Sequence, residues 1–152
     1  IVGWALAETL KASVSIQALQ MAIDQATAVH GSSTLTGLIH HSDRGVQYCC
    51  DAYIAKLKEH DITISMTEDY NPTDNAIAER INGILKMEDI YSRKQLRSFE
   101  HACNVIPRFI SFYNYRRPHM SIAYKTPAVA HTEKGEQKKM WKKKCLKKNA
   151  ET

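Results

Sequence analysis

Two short strand-like runs separated by one amphipathic segment constrain this chain more than any other feature. Leu35 to His41 reads as a strand. Tyr48 to His60 reads as an amphipathic helix with Tyr53, Ile54 and Leu57 toward the core. Asp61 to Thr67 then alternates, with Ile62, Ile64 and Met66 on one side and Thr63, Ser65 and Thr67 on the other. That is the pattern of a half-buried strand near a sheet edge. Strand, helix and strand in succession predict an α/β fold with parallel neighbouring strands. Ligands in such sheets gather outside the carboxyl ends of strands, and Asp43 lies just past the first run.

The flanking segments extend the pattern. Ile1 to Leu6 reads as a short buried strand. Ser13 to His30 reads as a helix, since Ile16, Leu19, Ile23 and Ala26 recur at helical spacing and Gly31 suits the stop. Glu68 to Pro72 is a loop, and Thr73 or Asp74 caps a helix running to about Asp89. A further helix spans Arg93 to Tyr115, with Pro107 expected to kink or divide it. Arg116 to Pro127 reads as irregular. Past about His131 the composition turns polar and lysine-rich, which predicts disorder or a frayed helix. The expected organisation is a folded region over residues 1–131 and a basic tail over 132–152.

Charge follows that division. Residues 1–132 hold 13 Lys+Arg against 13 Asp+Glu, whereas residues 133–152 hold eight Lys and three Glu. The whole excess of +5 is in the tail, so the overall basicity says little about what the folded part binds. The tail lysines suit salt-sensitive, sequence-independent DNA affinity, and a solvated end explains them equally. No apolar run approaches the ~20 residues of a membrane-spanning helix, and no secretory leader is visible; no membrane partner and a cytoplasmic setting are expected. The four cysteines lack disulfide or zinc-ribbon spacing. A zinc site from His40, His41, Cys49 and Cys50 fits no common pattern, and reduced thiols are expected instead. The chain opens at Ile1 rather than Met, as a fragment, a processed product or an unusual start codon would give.

Two acidic residues stand out from this background. Asp43 lies in His40-His41-Ser42-Asp43-Arg44-Gly45-Val46-Gln47-Tyr48, and Glu79 in Thr73-Asp74-Asn75-Ala76-Ile77-Ala78-Glu79-Arg80, with 35 residues between them. Taken singly, each has an ordinary role: Asp43 as a turn aspartate serving Gly45, Glu79 as a solvated helix glutamate. Taken together, they are hard oxygen ligands brought in by separate elements, as Mg²⁺-dependent phosphoryl transfer requires. At about 100° per residue, Asn75, Glu79 and Lys86 fall within roughly 60° of one another on the helix. Ile77, Ile81, Ile84 and Leu85 mostly occupy the opposite half, which is expected to pack on the sheet.

These segments resemble the integrase-type core of bacterial insertion-sequence transposases, relatives of retroviral integrases in the ribonuclease H-like superfamily. The likeness rests on His40 to Tyr48, on Thr73 to Glu88 with its Asp-Asn-Ala-x-Ala-Glu and Leu-Lys elements, and on Tyr113-Asn114-Tyr115-Arg116-Arg117-Pro118-His119 followed by Thr126-Pro127-Ala128. Ile1-Val2-Gly3-Trp4 also resembles the strand before the family's first long core helix. The resemblance implies a ribonuclease H-like α/β core with C-terminal helices, acting on DNA by cleavage and strand transfer. Three carboxylates would hold two Mg²⁺ or Mn²⁺ ions. Asp43 would be the second of the three and Glu79 the third. Lys86 would contact DNA, and Asn75 would support the helix start or the metal shell. Arg116, Arg117 and His119 are candidate phosphate contacts, although a solvated helix end explains them as well. The family's first Asp lies on a strand upstream of the one resembling Ile1 to Leu6. Nothing here aligns with it, and Glu8 and Asp24 sit on the wrong element. The resemblance therefore implies a core truncated at its start, with the first two strands of the mixed sheet missing and a ladder edge left open. Such a chain is expected to be inactive alone. A catalytically dead remnant that binds DNA non-specifically is the alternative, and a homo-oligomer is a further expectation by analogy. A plain ribonuclease H-type nuclease shares the fold, but the Asn114 to His119 and Thr126-Pro127 elements argue against it.

Overall fold

The computed structural model describes residues 1–67, 76–90 and 96–140. These divide into two compact units, Val2–Val105 and Ile1 with Ile106–Thr152. The expected loop from Glu68 to Pro72, the cap at Thr73 or Asp74, and the tail beyond Met140 lie outside the described residues.

The first unit is built on helix α1, Ala12–His30. Its register is set by the apolar repeat: Leu19 and Ile23 are buried, and Ile16 and Ala26 pack beside them. It stops at Gly31, whose N–H still donates to the Thr27 carbonyl while its positive φ of 68° turns the chain out of the helix, the left-handed termination that glycine allows. Strand β1, Ile39–Ser42, pairs in parallel with β2, Thr63–Met66, in the register Ile39 to Thr63 and Ser42 to Met66. The crossover runs through α2, Val46–Cys49, and α3, Asp51–Glu59. Tyr53 and Leu57 of α3 join Leu19, Ile23, Leu35 and Ile62 in one core. Each fully buried aliphatic side chain there is worth about 1.5–3 kcal/mol.

Several expectations change. The first strand starts at Ile39, not Leu35. Leu35 is a buried plug whose N–H bonds to the His60 carbonyl, and Gly37 turns the chain at φ 91° before the ladder begins. The expected single helix from Tyr48 to His60 is two, because Cys50 is extended (φ −75°, ψ 147°) between them. Ile1 to Leu6 forms no strand among the described residues. It is a largely half-buried segment without a ladder, and backbone groups make a strand only where another strand pairs with them. The parallel pairing of the two strands agrees with expectation.

Helix α4, Ala76–Leu85, continues into a π-helical stretch, Lys86–Ile90. Its apolar side is only partly covered among the described residues: Ile81, Ile84 and Leu85 are half-buried, none of its residues is fully buried, and Ile77 is 80% exposed. Helix α5, Phe99–Tyr115, is undivided at Pro107; the expected start at Arg93 lies outside the described residues, and residues 96–98 are not helical. In the second unit, Ile106, Phe109, Ile110 and Tyr113 are buried at helical spacing. The stretch from Arg116 is irregular as expected apart from one 3-10 turn, Met120–Ile122, and α6, Pro127–Thr132, follows it, reaching one residue into the expected tail. Asn114 clamps Ile1, its Oδ1 accepting from the terminal ammonium and its Nδ2 donating to the Ile1 carbonyl, each at 2.7 Å.

Two outcomes follow. A Cβ on Gly3 would overlap the Ala18 carbonyl oxygen on α1, a backbone atom that cannot swing aside. Gly3→Ala should lower the unfolding free energy in urea by about 1–3 kcal/mol, the usual range for overpacking; an unchanged midpoint would contradict the close approach. The second outcome concerns His40 of β1. Its Nε2 lies 3.0 Å from the Tyr53 hydroxyl, joining β1 to α3. Burial pushes the imidazole below its usual 6.5, a backbone hydrogen bond partly opposes this, and His41 adds to the lowering. Burial, with the neighbouring Tyr48 and Cys50, pushes the Tyr53 phenol up to about 12, so it stays protonated. The unfolded chain thus takes up a proton at His40 before the folded one does. Its contribution to stability should be full above about pH 6.5 and lost as pH falls below that value through the folded pKa. Unfolding titrations of the chain and of His40→Gln should diverge in slope only in that acidic window; parallel slopes would contradict the burial.

Candidate active site

Asp43 follows β1 directly. The β1 side chains alternate strictly: Ile39 and His41 are exposed, His40 is half-buried and Ser42 is buried. The ladder continues past the strands, since Thr67 N–H donates to the Ser42 carbonyl at 3.1 Å. Asp43 therefore emerges at the carboxyl end of a parallel pair, the place where α/β sheets present ligand-binding groups. Its side chain is exposed, and Oδ1 accepts the Gly45 N–H at 2.9 Å. The turn role expected of an Asp near Gly is thus present, and it engages one carboxylate oxygen.

Glu79 sits exposed in the first turn of α4 and makes no ion pair within the described residues. Lys86 is exposed and opens the π-helical stretch, so the 100° spacing that placed it beside Glu79 holds only through Leu85. Asn75 lies outside the described residues. Among those residues no group of three His, Cys, Asp or Glu side chains is arranged to hold a metal. Asp43 and Glu79 suit Mg²⁺ or Mn²⁺ chemically as hard, exposed oxygen donors, and two carboxylates alone would not complete a coordination set.

The four zinc candidates are otherwise engaged. His40 reaches Tyr53, and His41 Nδ1 pairs with the Ser65 hydroxyl at 2.8 Å across the ladder. Cys50 donates to the Gln47 carbonyl, and Cys49 faces the Met66 sulfur at 4.0 Å. Adjacent strand positions point to opposite faces, which separates the two histidines.

In the second unit the three basic candidates differ from one another. Arg116 is exposed at the end of α5, where its N–H and that of Arg117 both donate to the Phe112 carbonyl. Arg117 is half-buried. Its guanidinium lies 5.8 Å from the Tyr113 ring centroid, and Nη1 is 3.2 Å from His119 Nδ1. The His119 and Tyr113 rings meet edge-on at 4.8 Å. His119 also anchors the next turn, its N–H donating to the Lys125 carbonyl and its carbonyl accepting the Tyr124 N–H. Arg117 and His119 are therefore parts of a packed stack, while Arg116 is the one presented outward. Lys125 pairs with Glu133, and that contact holds the Glu133 carboxyl below the usual range.

Arg44 and Asn114 have structural roles that their sequence segments do not signal. Arg44 Nε donates to the Thr67 carbonyl at 2.8 Å, and Asn114 holds Ile1. Both bonds join a side chain to distant backbone, which no residue pattern announces.

No helix among the described residues is long and apolar enough to cross a membrane. Residues 60–127 match the Integrase core domain. The chain is 36% identical over 117 residues to the "Putative transposase for insertion sequence element IS986/IS6110" of Mycobacterium tuberculosis, covering 77% of this chain and 42% of that protein. It is 31% identical over 130 residues to the transposase for insertion sequence element IS629 of Shigella sonnei, covering 86% and 41%. Among solved structures, it superposes on a chain of the cryo-EM structure of the simian T-cell lymphotropic virus intasome in complex with PP2A regulatory subunit B56 gamma. That match has a TM-score of 0.63 at 21% identity and covers 84% of this chain and 42% of that one. It establishes the ribonuclease H-like α/β fold. Over most of its length the chain is homologous to transposases of bacterial insertion sequences and carries an Integrase core domain match, and it spans about two fifths of the length of the curated relatives it matches.

Proposed function

We propose that this chain is part of a transposase that cleaves DNA and transfers the cut strand, with Asp43 and Glu79 as two carboxylates of its metal site. The observation that carries the reading is Asp43, an exposed carboxylate held by Gly45 at the carboxyl end of a parallel strand pair, in a chain homologous to transposases. Asp43 and Glu79 would hold Mg²⁺ or Mn²⁺, with a further carboxylate from the longer protein. When bound, the ions supply charge neutralisation at the transferring phosphoryl group and activation of the attacking oxygen.

The chain's own residues have separate tasks. The Gly45 N–H orients Asp43, leaving the second carboxylate oxygen for coordination. Lys86, exposed beyond the end of α4, suits a phosphate as a mobile point charge. Arg116 suits a backbone phosphate at the end of α5. Arg117 and His119 hold the shape of that surface through Tyr113, with the Arg117 guanidinium as a further contact. Asn75 is proposed to support the start of the Glu79 helix.

The test uses a chain extended upstream in its native reading frame and DNA carrying insertion-sequence ends. Mg²⁺-dependent nicking should appear in the extended chain and be absent from residues 1–152 alone. Asp43→Asn and Glu79→Gln should each reduce it by more than about a hundredfold, beyond the 10–100-fold typical when a residue merely supports a metal ligand. Nicking that survives Glu79→Gln would remove Glu79 from the site.

A further inference from the structure

Asp43 is flanked on both sides by contacts to one residue at the end of the neighbouring strand. The carbonyl of Ser42, just before it, accepts the Thr67 N–H at 3.1 Å. Arg44, just after it, donates from Nε to the Thr67 carbonyl at 2.8 Å. Thr67 is buried, and both of its backbone polar groups are used by the residues on either side of Asp43. The third contact, from Gly45 N–H to Asp43 Oδ1, lies inside the loop. The turn is close: a Cβ on Gly45 would come 2.9 Å from Asp43 Oδ1 and 2.6 Å from Gln47 Nε2, so those two side-chain ends would have to move.

The first and third contacts are available to many sequences, since one is backbone to backbone and the other needs only an Asp and an N–H. The second depends on one side chain. The Thr67 carbonyl lies one residue past Met66, the last strand residue, and among the described residues its donor is Arg44 Nε. A guanidinium provides a directed, permanently charged one.

We propose that Arg44 is a positioning residue for Asp43, closing the loop against the end of β2 and so setting the carboxylate relative to the strand from which the chain runs on toward Glu79. This rests on the reading of Asp43 as a metal-holding carboxylate. The role differs from that of a phosphate-binding arginine, which would act through its charge on DNA.

Two readouts test it. In the metal-free 152-residue chain, amide hydrogen exchange followed by NMR should rise about tenfold at Thr67 and Gly45 in Arg44→Gln, with Ile64 and Ser65 unchanged. In the extended chain, the Mg²⁺ concentration for half-maximal nicking should rise by a similar factor in Arg44→Gln, with DNA affinity unmoved and Arg44→Lys intermediate. Unchanged exchange at Thr67 and Gly45 would overturn the proposal, as would uniformly faster exchange along β2. Lost DNA affinity with an unmoved Mg²⁺ midpoint would also overturn it, making Arg44 a phosphate contact. Asp43→Asn is measured alongside. If that variant nicks normally, the metal-site reading has failed and exchange alone judges the loop; if it is dead while Arg44→Gln matches the parent in both readouts, only the present proposal has failed.

Discussion

The parallel pairing of β1 with β2 is the constraint on which the site depends. Parallel strands deliver their carboxyl ends to one edge, so Asp43 and Thr67 arrive side by side even though a two-helix crossover separates them in sequence. The register also decides which residues face inward. Side chains alternate with a period of two, so a slip of one residue would exchange His40 and Ser42 for Ile39 and His41. It would also move the Ser42 carbonyl away from the Thr67 N–H that holds the strand's end. The aliphatic core beneath, with Ile23 and Leu57 almost wholly buried, fixes the crossover helices and thereby the register.

The composition of β1 runs against its burial. The polar His40 and Ser42 face inward, and Ile39 is 63% exposed. The Ser42 hydroxyl is buried without a hydrogen-bond partner among the described residues, an arrangement that costs about 1–3 kcal/mol. Local conflicts of this kind concentrate at functional sites, and this one lies immediately before Asp43. The His40 to Tyr53 bond offsets part of the cost and ties the strand to α3.

Much of this was legible in the residues. The 3.6-residue repeat in α1 and the stop at Gly31 are local physics, and both were read correctly. The alternation of strands with helices predicted parallel pairing, which is observed. The start of β1 was misplaced because an apolar residue signals burial but not its form; Leu35 is buried in a turn-bound segment rather than in a ladder. The break at Cys50 was missed, and the division allowed for at Pro107 does not occur, for a related reason. Local propensity yields to packing around it, and neither residue advertises its surroundings. The expectation that α4 packs its apolar side failed at Ile77, although the periodicity itself is present. Asp43 and Glu79 were singled out as candidates through their neighbours in sequence, whereas the contacts of Arg44 and Asn114 span separations of 23 and 113 residues.

The central claim is that Asp43 and Glu79 serve one metal site. A structure of the upstream-extended chain grown with Mn²⁺, with anomalous scattering used to place the ions, tests it most directly. The account predicts ions about 4 Å apart, with a carboxylate oxygen of Asp43 and one of Glu79 each about 2.1 Å from an ion of that pair. Ions bound elsewhere, or the two carboxylates too far apart to flank one such pair, would contradict it.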